Sequence, residues 1–449
     1  MKKIVITPGI TDLNRGDQAL IWLIKDILKD EGIPVEAKLL QSGNNEEDIY
    51  MQSRQSVDMG YDVMTPLLLH PARNKEIKDI GYSFFVKFRW GITALKDLVN
   101  SSLLLSKYKF IHRIGQAKLN KQQTTTYQNF KDMDLMVVKG GGFLHTYKRI
   151  TDIYYLYYSL FNIMLAHRLG KKVIIMPNSF GPFLGKFEKY IVKKVLSKCD
   201  LIYAREEISR RYLQDLLGRE VYLSPDLGFY ISPNENEENL GDIELPKSEK
   251  KVAITMRPYR FPEYSDGEHR YEKYINEMFL VCKELTKNGY HPVFVAHTLG
   301  PSAHEDDRIA LNEVIEKLKE AGVSSSNYTF ADDPSMNCFG LTNLYSQVDY
   351  IIGTRFHSVI FAMASFTPAI AISYSGHKTT GIMQDMDLEE YVVKIGEMDS
   401  EVLIEKFNKL VLNQQGVKEK IHNYIQKCKD DKADLVSKIK DELNAISNN

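Results

Sequence analysis

Strand-like apolar runs alternate with helix-like amphipathic runs along nearly the whole chain. That alternation restricts the fold to parallel sheets covered by helices on both faces. In the first half, strands are read at 3–7, 35–40, 134–139, 172–176, 201–204 and 221–223, with helices near 17–30, 153–169, 185–197 and 206–217. The pattern then breaks: Ser232-Pro233-Asn234-Glu235-Asn236-Glu237-Glu238-Asn239 is acidic, polar and aperiodic, and Pro246 follows, which marks a linker. A second alternation has strands at 251–256, 292–296, 328–330, 350–352 and 369–372, with helices near 271–287, 306–321, 341–347, 358–365 and from 400 onward. A chain of 449 residues also exceeds one ordinary core. The expected fold class is α/β, with two Rossmann-like doubly wound domains facing a central cleft. Their expected limits are 1–232 and 251–449, joined by a linker at 233–250, with long helices closing the second.

One stretch resists the scheme. Residues 51–129 are too many for an ordinary connection and carry few strand signals, so they read as an insertion in the first domain. Between 87 and 121, Lys87, Arg89, Lys96, Lys107, Lys109, Arg113, Lys118 and Lys121 are interleaved with Phe84, Phe85, Phe88, Trp90, Leu103, Leu104, Leu105 and Phe110. Such a segment is either an amphipathic helical pair packed on the first domain or a surface that lies against an anionic membrane.

Composition narrows the function classes. Apolar residues at 43% and charged residues at 26% describe a soluble globular chain, and a formal net charge of -1 argues against a general nucleic-acid binder. Cys199, Cys282, Cys338 and Cys428 are scattered without a C-x-x-C pair, so neither structural zinc nor a disulfide framework is expected and a reducing cytosol fits. Met1-Lys2-Lys3 runs directly into a strand followed by Pro8 and Gly9, which leaves no room for the apolar region of a signal peptide. No H-E-x-x-H spacing, phosphate-binding P-loop or full G-x-G-x-x-G occurs, which disfavours metal hydrolysis, nucleotide triphosphatase and nicotinamide chemistry.

The chemistry is concentrated where strands end. In the segment Asp349 to Ser358, a buried strand stops at Gly353 and a helix begins just after, which places Arg355 and His357 where open α/β sheets bind ligands. An always-charged guanidinium beside a group that titrates near neutral pH suits a small anion that must also receive a proton. Arg257 ends the first strand of that half, and His297 ends the next as either a ligand contact or a structural histidine bonded to backbone. Lys378 opens a helix after a glycine turn and can reach a carboxylate or phosphate. In the first half, Gly16 and Asp17 form the turn into the first helix, where Asp17 is an N-cap or a general base. Gly140-Gly141-Gly142 lets backbone amides approach a ligand, and Asn178 and Ser179 can donate hydrogen bonds from the next loop. Arg205 heads a helix, where a cation calls for a nearby anion: a ligand, or Glu207 or Asp226.

Taken in order, Asn14-x-Gly16-Asp17-x-Ala19, Gly140-Gly141-Gly142, Gly181-Pro182, Arg205-Glu206-x-x-Ser209, Pro225-Asp226, Met256-Arg257, His297-Thr298, Gly353-x-Arg355-x-His357 and Lys378-x-x-Gly381 resemble the polysaccharide pyruvyl transferases. The resemblance implies a GT-B-like pair of domains, with the acceptor on the first and the donor on the second. It implies transfer of the enolpyruvyl skeleton of phosphoenolpyruvate onto two sugar hydroxyls, giving a cyclic pyruvate ketal in a capsule or exopolysaccharide precursor, with no cofactor. Carried over residue by residue, Arg355 and His357 lie in the donor site, Arg205 and Lys378 help hold the phosphate and carboxylate, and His357 is the general acid. The implied partners are phosphoenolpyruvate and a sugar acceptor that is lipid-linked, nucleotide-linked or polymeric. The implied location is the cytoplasm, with peripheral membrane contact as one option.

Two other functions share parts of this pattern. A nucleotide-sugar glycosyltransferase has a similar donor loop but often presents a carboxylate there, whereas no Asp or Glu occurs between Gly353 and Gln384. A non-catalytic carbohydrate-binding protein would keep the aromatic content, 26 tyrosines among it, without needing convergent cations.

Overall fold

The computed structural model describes residues 1–43, 46–69, 84–146, 151–233, 243–247, 249–374 and 378–447. The acidic part of the expected linker and the Ser375-Gly376-His377 turn therefore lie outside the described residues, as do the side chains of Phe84 and Lys87. The elements run β1 (Lys2–Ile10), α1 (Arg15–Asp30), β2 (Val35–Gln41), α2 (Glu46–Asp58), β3 (Asp62–Met64), α3 (Phe84–Leu105), α4 (Lys109–Ala117), α5 (Lys121–Asp132), β4 (Leu135–Val138), β5 (Gly141–Leu144), α6 (Asp152–Arg168), β6 (Lys172–Phe180), α7 (Lys186–Leu196), β7 (Leu201–Ala204), α8 (Glu207–Leu217) and β8 (Tyr222–Leu223). They continue with β9 (Lys250–Thr255), α9 (Gly267–Lys287), β10 (Tyr290–Val295), α10 (Asp307–Glu320), β11 (Thr329–Ala331), α11 (Cys338–Ser346), β12 (Tyr350–Gly353), α12 (Phe356–Ala364), β13 (Ala369–Ser373), α13 (Lys378–Asp385), β14 (Val392–Lys394), α14 (Ser400–Leu412) and α15 (Gln414–Ser447).

Two compact units result. The first comprises Met1–Asp12, Leu20–Asp226 and Asp431–Asn449; the second comprises Leu13–Ala19 and Leu227–Asp430. In the first unit the sheet order is β3-β2-β1-β4-β6-β7-β8, with β5 also beside β6, and every described pairing is parallel. Leu135 to Val138 and Leu201 to Ala204 are buried throughout, because a parallel sheet covered on both faces hides every side chain of its inner strands. In the second unit the order is β11-β10-β9-β12-β13-β14, again all parallel. Strand order reverses between β9 and β12, and doubly wound sheets bind ligands beyond the carboxyl ends of the strands at such a switch point.

Several expectations change. The insertion is shorter than 51–129, since β3 lies inside that range and joins the sheet through Lys38 opposite Asp62; three residues are too few to signal a strand. Gly141 and Gly142 are not loop but part of β5, where Gly141 pairs with Asn178 at φ 133°. The expected second domain, 251–449, loses its end to the first unit from Asp431 onward. There Leu435, Val436, Ile439 and Leu443 are buried, Lys432 stands 3.6 Å from Asp30, and Lys172 pairs with Glu442. Conversely, Leu13–Ala19 leaves the first.

The helical pair α3–α4 also divides its apolar residues. One side packs inward: Ser101 meets the Tyr157 hydroxyl at 2.8 Å, and His112 bridges the Leu104 carbonyl (2.6 Å) and the Tyr127 hydroxyl (2.7 Å). The other side, with Phe88, Leu95 and Phe110, is exposed, so packing on the first domain accounts for only half of the pair.

Candidate functional site

The second unit builds its site from the loops after β9, β10, β12 and β13. After β12, Gly353 allows an immediate turn: a Cβ there would lie 2.7 Å from Val359 of α12. Thr354 is pinned to the Tyr274 hydroxyl at 2.9 Å. Arg355 then precedes α12, 7% exposed, with Nε donating to Asp307 Oδ1 (2.7 Å) and Nη2 to the Glu305 carbonyl (2.7 Å). The other oxygen of Asp307 accepts the Thr298 amide at 2.8 Å, so one buried carboxylate ties the loop after β10 to the guanidinium.

His357 occupies the first turn of α12 and its ring lies against Gly16. A Cβ at Gly16 would come within 2.2 Å of His357 Nδ1, so only glycine fits. The segment carrying Gly16 is held within the second unit by Asn14, which bridges Thr298, by Leu13, whose carbonyl accepts the Leu299 amide at 2.8 Å, and by Arg15. The Arg15 guanidinium is 2% exposed and donates to the carbonyls of Met336 (3.0 Å), Pro334 (3.0 Å) and Leu13 (3.1 Å). Asp17 does not cap α1. Asn14 Oδ1 accepts the amides of Gly16 (3.2 Å) and Asp17 (3.3 Å), and Asn14 Nδ2 donates to the Asp17 carboxylate at 3.2 Å.

His297 follows β10 and is 1% exposed, its ring stacked on Tyr345 and tilted against Phe361, which also flanks His357. Burial, then the His357, Arg355 and Arg15 charges, hold its pKa well below the usual imidazole value. The ring is therefore neutral. Nδ1 faces the Tyr345 hydroxyl at 3.2 Å, while Nε2 is buried with no hydrogen-bond partner among the described residues. The structural alternative, a ring bonded to backbone, is not what the structure shows.

Arg257 and Lys378 meet at Tyr374, just after β13. The Arg257 guanidinium lies 4.4 Å and the Lys378 ammonium 5.0 Å from the centre of the Tyr374 ring. Burial pushes the Tyr374 hydroxyl up, but Lys378, Arg257 and Arg355, with a hydrogen bond from Arg257, outweigh it and bring its pKa down to about 7. Arg257 Nε is buried without a hydrogen-bond partner among the described residues. Arg257, His297, Arg355, His357, Lys378 and Asp17 thus belong to one unit, and the first five are linked through short contacts and mutual electrostatics. Sequence reasoning missed Tyr374, Asp307 and Arg15, whose roles depend on partners distant along the chain.

Arg205, Gly141, Asn178 and Ser179 form a separate group in the first unit. Arg205 is 2% exposed; Nη1 donates to Asp226 (2.6 Å) and Nε to Ser179 Oγ (2.8 Å), with Glu206 at 3.6 Å. Of the two partners foreseen, Asp226 is taken and Glu207 turns to Arg210 and Arg211. Ser179 Oγ in turn donates to Glu206 at 2.9 Å, and Asn178 donates to the Lys139 carbonyl at 3.4 Å. Two carboxylates surround this cation, so its charge is met from within the protein.

Comparison with known proteins bears on the fold and the family. The chain resembles the amylovoran biosynthesis protein AmsJ of Erwinia amylovora, 25% identical over 281 residues, which are 59% of this chain and 64% of the relative's length. Its fold is similar to that of the S. aureus MnaA–UDP co-structure, at 10% identity and TM-score 0.52 over 94% of this chain and 91% of the other. It is also similar to an E. coli structure described as trehalose-6-phosphate bound with UDP-2-fluoro glucose, at 12% identity and TM-score 0.51 over 99% of both chains. These likenesses concern the fold, which is GT-B-like. A match to the polysaccharide pyruvyl transferase family extends over residues 14–376, from the loop that carries Gly16 to just beyond Tyr374, and the chain belongs to that family.

Proposed function

We propose that this chain transfers the enolpyruvyl skeleton of phosphoenolpyruvate onto two hydroxyls of a sugar in a polysaccharide precursor, giving a cyclic pyruvate ketal and inorganic phosphate. The observation that carries the reading is the convergence of Arg257, Arg355 and Lys378 with His357 at the carboxyl ends of β9, β12 and β13. A small anion with a phosphate and a carboxylate loses much hydration on binding, and charge-assisted hydrogen bonds offset that loss. Arg257 Nε, buried without a described partner, is a donor suited to it. So is neutral His297 Nε2: Tyr345, whose pKa burial and the Asp307 charge hold well above the ordinary value, keeps its proton and can donate to Nδ1.

In this reading His357 gives a proton to the methylene carbon of the donor, which becomes the methyl group. One sugar hydroxyl attacks the adjacent carbon. The second displaces phosphate and closes the ring, and the two hydroxyl protons leave, one restoring His357 and the other going with phosphate. Asp17, next to Gly16 in the chain, is the base for the first of them and is freed when that proton returns to His357. No step calls for a cofactor. Arg205, with its charge met by Asp226 and Glu206, shapes the first unit and is not asked to hold the donor.

The test combines calorimetry with product analysis. Phosphoenolpyruvate should bind and uridine diphosphate sugars should not, and incubation with phosphoenolpyruvate and a panel of galactosides should add the mass of a pyruvate ketal. His357→Gln should keep the fold and donor binding but lose transfer. Binding of a uridine diphosphate sugar with no response to phosphoenolpyruvate would instead support a glycosyltransferase.

A further inference from the structure

The helix α3 has two apolar faces, and only one is used inside the protein. Ser101 and Leu104 are buried, whereas Phe88, Ile92, Leu95 and Val99 recur at spacings of four, three and four on the outer side, where Leu95 is 62% exposed. Such spacing draws one continuous stripe along a helix. Tyr108 and Phe110, each 74% exposed, extend the apolar surface into α4. Exposed apolar residues gathered on one face of a helix mark an interaction surface.

The charge around the stripe identifies the partner. Between 84 and 118 the chain carries Lys87, Arg89, Lys96, Lys107, Lys109, Arg113 and Lys118 against a single acid, Asp97, although the whole protein has a formal net charge of -1. The neighbouring layer repeats the chemistry: α6 packs against both α3 and α7, and α7 exposes Phe187 and Tyr190 among Lys189, Lys193 and Lys194. A second copy of the chain would press this basic face against itself, since a two-fold interface sets the same patch on both sides. A neutral partner would leave the cations unmatched. We infer that the outer faces of α3 and α4 form a membrane-docking surface, with the aromatic and aliphatic stripe entering the headgroup boundary and the flanking basic residues meeting anionic lipid. None of the described helices is long and apolar enough to cross a bilayer, so this contact is peripheral.

This inference stands apart from the reaction, because vesicle binding needs neither donor nor acceptor. The full chain is sedimented with phosphatidylglycerol-containing vesicles and with pure phosphatidylcholine vesicles at low and high salt. Binding should require the anionic lipid and weaken as salt shortens the screening length. Lys107→Gln together with Lys109→Gln should weaken it about thirtyfold, at about fivefold per cation. Leu95→Glu with Phe110→Glu should abolish it while leaving the thermal transition and transfer to a soluble acceptor unchanged, because both positions face solvent. The proposal is overturned if the wild type stays in the supernatant with both vesicles, or if these variants bind as well as wild type. It is equally overturned if light scattering shows a dimer that Leu95→Glu dissociates, which would make the stripe a contact between copies.

Discussion

Replacing Gly16 with alanine is the sharpest perturbation available, since it adds one methyl group and no charge. The new Cβ would stand 2.2 Å from His357 Nδ1, 2.5 Å from Cγ and 2.7 Å from Cβ, against an ordinary contact of 3.4–4 Å, so the imidazole must retreat by about 1.2 Å. Gly16 lies in the first turn of α1, where alanine is by itself about 1 kcal/mol the better helix former, which offsets part of the overpacking against His357. A reacting group misplaced by about 1 Å costs about a hundredfold in rate. Gly16→Ala should therefore lower kcat for ketal formation about a hundredfold or more with little change in melting temperature. The assay is phosphate release in the presence of acceptor, with circular dichroism as the folding control. The decisive comparison is made in a His357→Ala background. With the ring gone, the contacts at 2.2 and 2.5 Å disappear and only the 2.7 Å contact with the remaining Cβ persists, so the second substitution should cost far less than it does in the wild type. Undiminished turnover in Gly16→Ala, or full additivity of the two changes, would refute the placement of His357 at the reacting centre.

Two further outcomes follow from the same structure. Tyr374 has a folded pKa of about 7, below its ordinary value near 10, so its phenolate favours the folded state; that contribution is complete above about pH 10 and is lost as pH falls through about 7. Near-ultraviolet tyrosinate absorbance should rise through neutral pH in the wild type and not in Tyr374→Phe, and a wild type without that transition would contradict the cation cluster around the ring. Arg205→Ala leaves Asp226 and Glu206 buried without their cation, which costs about 3–5 kcal/mol and should lower the melting temperature by about 10 °C or more. A melting temperature close to wild type, with donor affinity lost, would return Arg205 to the donor site.

The strands that carry the site were legible because buried parallel strands are continuous apolar runs, as in Tyr350-Ile351-Ile352 before Gly353. The position of Arg355 and His357 followed from that alone. What stayed hidden was pairing over distance. Asp307 acquires its role only when it meets Arg355, and Tyr374 is an ordinary tyrosine until Arg257 and Lys378 flank it. The short strands β3, β5 and β14 were missed because three or four residues hold no period, and two glycines mask β5. Exposure of the α3 stripe was equally invisible, since an apolar helix face reads the same whether it turns inward or outward.

Arg15 reaches backbone carbonyls 319 and 321 residues away, and Gln18 accepts the amide of Cys338 across 320 residues. At about 5–20 residues per second, the ribosome would release these partners about 16 to 64 s after Arg15 itself. Through that interval the arginine and the glycine that cradles His357 wait without their contacts. The loop bearing Gly16 is made first but meets its partners only late in synthesis, so the nascent chain lacks this assembled cluster of side chains for most of its time on the ribosome.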